Sequence, residues 1–230
     1  MSNEAKPPGM LLVLSGPAGV GKDSVWQHAG PCLPSFAKAI TCTTRAPRPG
    51  ETHGVDYYFA SNHDFDGMIE RDELLEWAEV HGNRYGVPVS SVTGRLNAGG
   101  DVICIIEVQG ALRIRALFPE STLVFLKPPP GREEQILRER MAGRGAETAE
   151  ETARRMQTAE WELGQTSFYD YQIINDEIEN AAQQLCDIVA QKKADHTQPA
   201  GTQAVADEAT TIGATTAGTM TTGTMTDGAI

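Results

Sequence analysis

The sequence has few cysteines and histidines, and their spacing excludes the common metal-binding and disulfide frameworks. Its four cysteines contain no C-x-x-C pair and its five histidines contain no H-x-x-x-H pair, so a zinc site is not expected. A chain of 230 residues is also long enough to build a hydrophobic core without covalent cross-links. We therefore expect all four cysteines to be reduced thiols, as in an intracellular protein.

Long apolar runs and an excess of basic residues are also missing. The first apolar run, Met10–Leu14, is too short for a signal sequence or a membrane-spanning helix. The 19 lysines and arginines are outnumbered by 31 acidic residues, which gives a net charge of −12. Non-specific binding to nucleic acid or to an anionic membrane rewards basic residues. We therefore expect neither partner, and we expect a cytoplasmic protein that is a monomer or a homodimer.

Short apolar runs alternate with charged helical segments along most of the chain, which predicts an α/β fold with a mostly parallel sheet. The predicted strands are Met10–Leu14, Phe36–Cys42, Tyr57–Phe59, Asp101–Val108, Ser121–Leu126 and Gln172–Asn175. Helices are predicted from about Lys22, and over Asn62–Arg71, Asp72–Glu76, Gly131–Arg144, Thr148–Leu163 and Glu179–Lys193.

The segment after the first strand fits the phosphate-binding pattern G-x-x-x-x-G-K. Its context is the required one, with a predicted strand before it and a predicted helix after it. Glycines let backbone N–H groups turn towards phosphate oxygens, and the helix N-terminus adds a favourable dipole. The sequence therefore predicts a nucleoside triphosphate site formed by Gly16, Pro17, Ala18, Gly19, Val20, Gly21, Lys22, Asp23 and Ser24.

Asp23 departs from the usual motif, in which a hydroxyl side chain follows the lysine and binds Mg²⁺. A carboxylate is also a good ligand for a hard cation, but it brings negative charge close to the phosphates. Our hypothesis is that Asp23 binds Mg²⁺ directly or through water. The alternative is that Asp23 only complements the helix dipole.

A second set of motifs carries a family resemblance. The segment TCTTRAPRPGE at 41–51, followed by GVDYYF at 54–59, closely resembles the guanylate kinase signature. Further matches follow in the family's order, namely Glu76-Trp77-Ala78, Tyr85-Gly86, Val108-Gln109-Gly110, Arg144-Gly145 and Ile174-Asn175. The resemblance extends from Met10 to about Lys193. It implies a P-loop fold of three α/β/α layers with a mostly parallel five-stranded sheet, and an enzyme that phosphorylates GMP with ATP.

The chemistry of the signature suits a nucleoside monophosphate. Arg45 and Arg48 lie three residues apart in a proline-stiffened loop, and two guanidinium groups so placed can clamp a phosphate. By resemblance, Tyr57 and Tyr85 add hydroxyl donors to the same phosphate.

Recognition of guanine is expected to depend on carboxylates. Guanine presents two adjacent donors, N1–H and the 2-amino group, whereas adenine has an unprotonated N1 and no 2-amino group. By resemblance, Glu76 accepts both donors, Thr41 is a further base contact, and Glu107 is a second acidic residue on the base side. Val87 stands where the family usually has a base-contacting Ser or Thr, so we expect GMP to bind more weakly by about 1 kcal/mol.

The arginines of the family's lid are matched by Arg140, Arg144 and Arg155. With Lys22 and Arg45, they are the predicted catalytic residues. Phosphoryl transfer needs alignment and neutralisation of charge more than covalent help, so no catalytic base is expected. The resemblance also places Asn175 against adenine and implies that Mg²⁺ accompanies ATP.

The same resemblance divides the chain into regions. We expect a flexible N-terminus at 1–9, a guanylate kinase-like domain at 10–194, and a disordered low-complexity tail at 195–230, where Thr, Gly, Ala and Met dominate. Within the domain, the predicted parts are a core at 10–40, 96–132 and 160–194, a GMP-binding insert at 41–95 and a lid at 133–159.

Two other functions stay open on the sequence. A related kinase of this fold phosphorylates ribose 1,5-bisphosphate and also carries G-K-D-S in its loop, although Glu76 and the pair of tyrosines favour GMP. The other alternative is a non-catalytic guanylate-kinase-like interaction module. Such modules usually lose the loop glycines or lysine, whereas this chain keeps Gly16, Gly21 and Lys22.

Overall fold

The computed structural model describes residues 9–80, 82–142 and 149–197. The strands in those ranges are β1 (Leu11–Ser15), β2 (Phe36–Lys38), β3 (Thr41–Thr43), β4 (Tyr57–Phe59), β5 (Leu74–Val80), β6 (Asn83–Pro88), β7 (Asp101–Ile105), β8 (Thr122–Lys127) and β9 (Tyr171–Ile174). The helices are α1 (Lys22–Ala29), α2 (Asn62–Glu70), α3 (Thr93–Asn97), α4 (Val108–Leu117), α5 (Glu133–Ala142), α6 (Ala149–Leu163) and α7 (Ile178–Thr197).

Five strands form a central sheet in the order β2-β7-β1-β8-β9, and every neighbouring pair in it is parallel. This confirms the predicted α/β fold with a mostly parallel five-stranded sheet. The carboxyl ends of parallel strands meet at one edge, where ligands of open α/β sheets bind. Here that edge brings together the glycine loop after β1, Lys38 at the end of β2 and Glu107 after β7.

Successive side chains of β1 point to opposite faces of the central sheet, and an apolar cluster covers each face. Leu12 and Leu14 belong to the cluster that includes residues of α1 and α7, such as Val25 and Leu185. Val13 belongs to the cluster that includes residues of α3 and α4. All of these side chains are fully buried, so both ends of the glycine loop are anchored in packed structure.

The segment between β2 and β7 of the central sheet forms a second sheet, of order β4-β3-β6-β5. In it β3 is parallel to β4 and antiparallel to β6, and β6 is antiparallel to β5. The single strand predicted over Phe36–Cys42 is therefore wrong. The chain leaves the central sheet after Lys38 and enters the second sheet at Thr41.

The helix predicted over Asp72–Glu76 is also wrong, because β5 begins at Leu74. Burial alternates along this strand, with Glu76, Ala78 and Val80 buried and the residues between them exposed. That period of two is typical of a strand. The sequence does not show this period clearly, because the charged residue Glu76 occupies one of the inward positions.

The strand predicted over Asp101–Val108 is shorter than expected, since β7 ends at Ile105 and a helix that was not predicted, α4, begins at Val108. The last helix, α7, continues to Thr197, three residues into the tail predicted at 195–230, and the rest of that tail, from residue 198, lies outside the described residues. Within the described ranges, no helix combines the length and the apolar character that crossing a membrane requires.

One pair of cysteines differs from the expectation. Cys32, just after α1, and Cys186, in α7, form a disulfide bond across 154 residues of sequence, so the prediction of four reduced thiols is wrong for this pair. Cys42 and Cys104 are free and buried. Burial raises the pKa of each of these two thiols to about 12, so both remain protonated.

Candidate active site

The loop between β1 and α1 has the geometry of a phosphate cradle. Gly16, Gly19 and Gly21 have φ angles of 144°, 83° and 101°, which side chains with a β-carbon rarely adopt. At Gly16 a β-carbon would also lie 2.1 Å from the carbonyl oxygen of Leu126. The loop therefore requires glycine at these positions, and it leads directly into the N-terminus of α1.

Lys22, the first residue of α1, is held by the loop and by Glu107, the residue that immediately precedes α4. Its ammonium group donates to the carbonyl oxygen of Gly16 at 2.7 Å and pairs with a carboxylate oxygen of Glu107 at 3.1 Å. The Lys22 side chain is only 10% exposed, and both charged residues line the cleft. Glu107, which the family resemblance predicts to lie on the base side, is thus in direct contact with the phosphate-loop lysine.

Arg45 and Arg48 line the same cleft, and Glu51 organises both. The guanidinium group of Arg45 donates two hydrogen bonds to the Glu51 carboxylate, at 2.8 and 2.9 Å. The backbone N–H of Arg48 donates to the same carboxylate at 2.7 Å. The Arg45 guanidinium also lies 5.4 Å from the ring centre of Tyr57, a cation–π distance. Glu51 was not predicted as a site residue, although it falls within the signature.

The two predicted phosphate-contacting tyrosines are brought together. Tyr57 and Tyr85 line the cleft, and their rings meet edge to face with centres 6.3 Å apart. Burial raises the pKa of the Tyr57 phenol, and the negative charges of Asp23 and Glu107 raise it further. The Tyr57 hydroxyl therefore stays protonated at neutral pH and is available as a hydrogen-bond donor.

An adjoining part of the cleft is lined by Thr41 and Glu76, beside α4. Glu76 is only 6% exposed, and its Oε2 has no hydrogen-bond partner among the described residues. Burial raises the pKa of this carboxyl to about 7, and the charge of Arg113 opposes that rise. A β-carbon on Gly110 would lie 2.9 Å from each carboxylate oxygen. Helix α4 therefore approaches Glu76 at a glycine, and this carboxylate, which lines the cleft, has one buried oxygen without a hydrogen-bond partner in the described part of the chain.

Asn175 and Arg140 both reach the phosphate loop. The side-chain nitrogens of these residues donate to the carbonyl oxygen of Val20, at 2.7 and 2.9 Å. The amide oxygen of Asn175 is buried and has no partner within the described part of the chain. Arg155 lines the cleft, and the third predicted lid arginine, Arg144, lies outside the described residues.

The two departures from the family's pattern have different surroundings. Asp23 lines the cleft, and its Oδ1 lies 3.0 Å from the ammonium nitrogen of Lys38. Val87 is fully buried in the apolar cluster that also contains Val92 and Ile106. The valine therefore contributes to packing, whereas the aspartate belongs to the cleft surface.

Sequence reasoning missed Glu162, a buried carboxyl in α6. Glu162 is 2% exposed, and its pKa is raised to about 8 by burial and by the charge of Glu107, while Lys22 and the backbone N–H groups of Ala18 and Val108 oppose the rise. In the sequence it is one of several glutamates in a charged helix. The available signal was its position three residues after Ala159, which puts both residues on the same helix face; Ala159 is 1% exposed.

Together these features define a class of protein. A glycine loop after the central parallel strand ends in a lysine, and arginines approach the same cleft from other elements. This arrangement is that of a P-loop phosphotransferase, in which positioned cations stabilise a moving phosphoryl group. The described residues contain no group of three or more His, Cys, Asp or Glu side chains arranged to hold a metal ion.

Comparisons with known proteins give the family. The family model described as guanylate kinase matches residues 9–192. Curated guanylate kinases of Halalkalibacterium halodurans and Desulfitobacterium hafniense are 47% and 45% identical to this chain; each alignment covers 80% of the chain and covers 89% and 91% of the relatives, respectively. The crystal structure of guanylate kinase from Anaplasma phagocytophilum is 29% identical with a TM-score of 0.66, covering 84% of this chain and 89% of that one. The chain belongs to the guanylate kinase family.

Proposed function

We propose that the protein transfers the terminal phosphoryl group of ATP to GMP, and also to dGMP, yielding ADP and GDP or dGDP. The observation that carries this proposal is the buried carboxylate of Glu76, which faces the cleft and has an oxygen without a partner among the described residues. A buried acceptor of this kind is costly unless a ligand supplies donors. Guanine supplies two adjacent N–H donors, and Thr41 lines the same part of the cleft.

On the acceptor side, the GMP phosphate would be bound by Arg45, Arg48, Tyr57 and Tyr85. The Glu51 carboxylate fixes the Arg45 guanidinium before the substrate arrives, which lowers the entropy cost of orienting it. Adenine in the same pocket would leave the Glu76 carboxylate unpaired and would place the acceptor N1 against it. Discrimination against AMP is therefore stronger than the loss of one favourable contact alone would produce.

On the donor side, the loop N–H groups and Lys22 would hold the β- and γ-phosphates of ATP. A phosphate oxygen of GMP attacks the γ-phosphorus, a new P–O bond forms, and the bond to the β–γ bridging oxygen breaks as ADP leaves. Because the attacking oxygen is already anionic, no base has to remove a proton. Lys22 and the arginines at 140, 144 and 155 would neutralise the charge that spreads over the transferred group, and closure of the lid would exclude water.

Mg²⁺ is the metal that we propose to accompany ATP. Kinase sites bind this ion mainly through the substrate phosphates, with one or two carboxylates from the protein. The Asp23 carboxylate fits that requirement because it lines the cleft with 58% of its side chain exposed. Asp23 would hold the ion directly or through water, next to Ser24. When bound, the metal supplies positive charge to the phosphates.

The test of the function is an assay that couples ADP release to NADH oxidation. The purified protein is offered GMP, dGMP, AMP, UMP and ribose 1,5-bisphosphate as acceptors. We expect turnover with GMP and dGMP, and values of kcat/KM for AMP and UMP at least about a thousandfold lower. Turnover with ribose 1,5-bisphosphate but not with GMP would replace the proposed acceptor, and no turnover with any acceptor would favour the interaction module.

A further inference from the structure

Lys38 forms an ion pair with the unusual residue of the phosphate loop. The two residues come from different elements, since Asp23 is in the first turn of α1 and Lys38 is the last residue of β2. Their charged atoms are 3.0 Å apart. The Lys38 side chain is 27% exposed, so its ammonium group is partly solvated, and it pairs with a residue that lines the cleft.

The charge balance at the donor end of the cleft explains why such a partner is needed. ATP carries several negative charges, and Asp23 adds another beside Lys22, the residue that should neutralise them. Lys22 is already shared with Glu107, at 3.1 Å. The electrostatic effect of Asp23 reaches Tyr57, another residue that lines the cleft, since the charge of Asp23 contributes to raising the pKa of Tyr57. Without compensation, a carboxylate at this place repels the triphosphate.

We propose that Lys38 is a positioning residue of the ATP site, which offsets the charge of Asp23 and so lets a phosphate loop with a carboxylate accept a triphosphate. This inference rests on the proposed use of ATP as phosphoryl donor. Lys38 acts through Asp23, so its importance depends on which residue occupies position 23. A lysine with a purely structural role would not show that dependence.

The experiment measures equilibrium binding of ATP by isothermal titration calorimetry, without GMP and in the presence of EDTA. Omitting divalent metal isolates the charge effect from any role of Asp23 as a metal ligand. The variants are Lys38→Met, Asp23→Ser and the double variant, with Lys38→Arg as the charge-conserving substitution. Lys193→Met is the matched control, since Lys193 forms an ion pair with Asp101, which lies at the start of β7, at the opposite end of the strand from the cleft residues Ile105 and Glu107.

We expect Lys38→Met to raise the Kd for ATP about tenfold, in line with losing one nearby charge partner at a partly solvated site. Asp23→Ser in that background should restore the Kd to within about twofold of the parent protein. Asp23→Ser alone should bind ATP as tightly as the parent or more tightly, and Lys38→Arg and Lys193→Met should leave the Kd unchanged.

Three outcomes would overturn the proposal. These are an unchanged Kd in Lys38→Met, a double variant that binds as weakly as Lys38→Met, and an Asp23→Ser variant that binds metal-free ATP more weakly than the parent. Circular dichroism melts identify any variant that fails to fold, in which case Lys38→Gln replaces Lys38→Met in the cycle. Because GMP is absent, the result is independent of whether GMP is the acceptor, and the coupled assay tests that question separately.

Discussion

Two carboxylates in adjoining parts of the cleft have opposite surroundings. Asp23, beside the phosphate loop, is more than half exposed and is 3.0 Å from Lys38. Glu76, beside α4, is 6% exposed and has an oxygen without a partner among the described residues. An exposed, paired carboxylate changes the local charge at little cost, whereas a buried, unpaired one destabilises the fold until a ligand supplies donors. These surroundings support the roles proposed above, in which Asp23 is a paired charge at the ATP site and Glu76 recognises the base.

The largest effect is expected from removing the charge of Glu76, which tests whether its carboxylate recognises the base. We expect Glu76→Gln to lower kcat/KM for GMP about a thousandfold, roughly 4 kcal/mol, because an amide presents only one acceptor to two adjacent donors. The KM for ATP should stay within about twofold, since the phosphate loop is untouched. The assay is steady-state kinetics with either substrate varied.

The matched control for that variant is Glu79→Gln. Glu79 lies in the same strand but is exposed, so the same substitution there should change neither kinetic constant by more than about twofold. Equal losses of GMP and ATP efficiency in Glu76→Gln would contradict the role of Glu76 in recognising the base.

The second prediction concerns stability and pH. The folded pKa of Glu76, about 7, exceeds the ordinary value of 4.5 because the group is buried. Between these values the unfolded chain releases the proton and the folded protein keeps it, so the Glu76 contribution to stability falls as pH rises from 5 to 8. Glu76→Gln should therefore be more stable than the parent by about 3 kcal/mol at pH 8.5 and by much less at pH 5.

Urea unfolding at several pH values measures this difference. The buried carboxyl of Glu162, whose pKa is raised to about 8, should leave a residual slope of the same sign in Glu76→Gln. A Glu76→Gln variant that is no more stable than the parent at pH 8.5 would show that the Glu76 carboxylate has partners in the free protein, and the contrast with Asp23 would disappear.

The third prediction tests the space around Glu76 rather than its charge. In Gly110→Ala the new methyl group would meet both carboxylate oxygens at 2.9 Å, so the carboxylate has to shift. We expect kcat/KM for GMP to fall about tenfold to a hundredfold, from the misplacement of an otherwise intact group. Gly94→Ala is the control, because a β-carbon on Gly94 meets nothing within 4 Å. Equal kinetics in the two variants would contradict the close approach of α4.

The sequence predicts local features of this molecule better than features that depend on distant segments. The phosphate loop and the Arg45/Arg48 pair are contiguous motifs, and the structure brings them to one cleft. By contrast, the helix predicted over Asp72–Glu76 overlaps the start of β5, because Glu76 interrupts the inward apolar series of that strand. The residue that obscured the strand is the one on which the function is proposed to depend, since a polar group in a core position breaks the pattern that predicts structure.

Partners separated along the chain show the same limit. Asp23 was recognised as unusual from its position in the motif, but Lys38 could not be, because only the crossover from α1 to β2 brings them together. The disulfide between Cys32 and Cys186 spans 154 residues, and spacing gave no sign of it. Glu162 was missed for a related reason, since Ala159 was the one local sign that this face of the charged helix packs against other elements.

The smallest expected effect is the change in the free energy of unfolding when Asp23 is replaced. Replacing Asp23 by Ser removes a partly exposed ion pair, and such pairs contribute about 0–1 kcal/mol to stability. It also removes an acidic residue from the first turn of α1, which is worth about 0.3–1 kcal/mol. We therefore expect the free energy of unfolding at pH 8 to fall by less than about 1.5 kcal/mol, opposite in sign to the change in Glu76→Gln.

Urea unfolding of Asp23→Ser and Lys38→Met side by side measures this effect. Small, similar losses in the two variants are expected because each removes one member of the same pair. A loss above about 3 kcal/mol in either variant would mean that the pair holds β2 against α1. Weaker ATP binding in Lys38→Met would then follow from a displaced loop. If the pair were structural, Asp23→Ser would not restore ATP binding in Lys38→Met, because removing the second member does not restore a lost structural contact. The stability and binding measurements together therefore decide between charge balance and structural support.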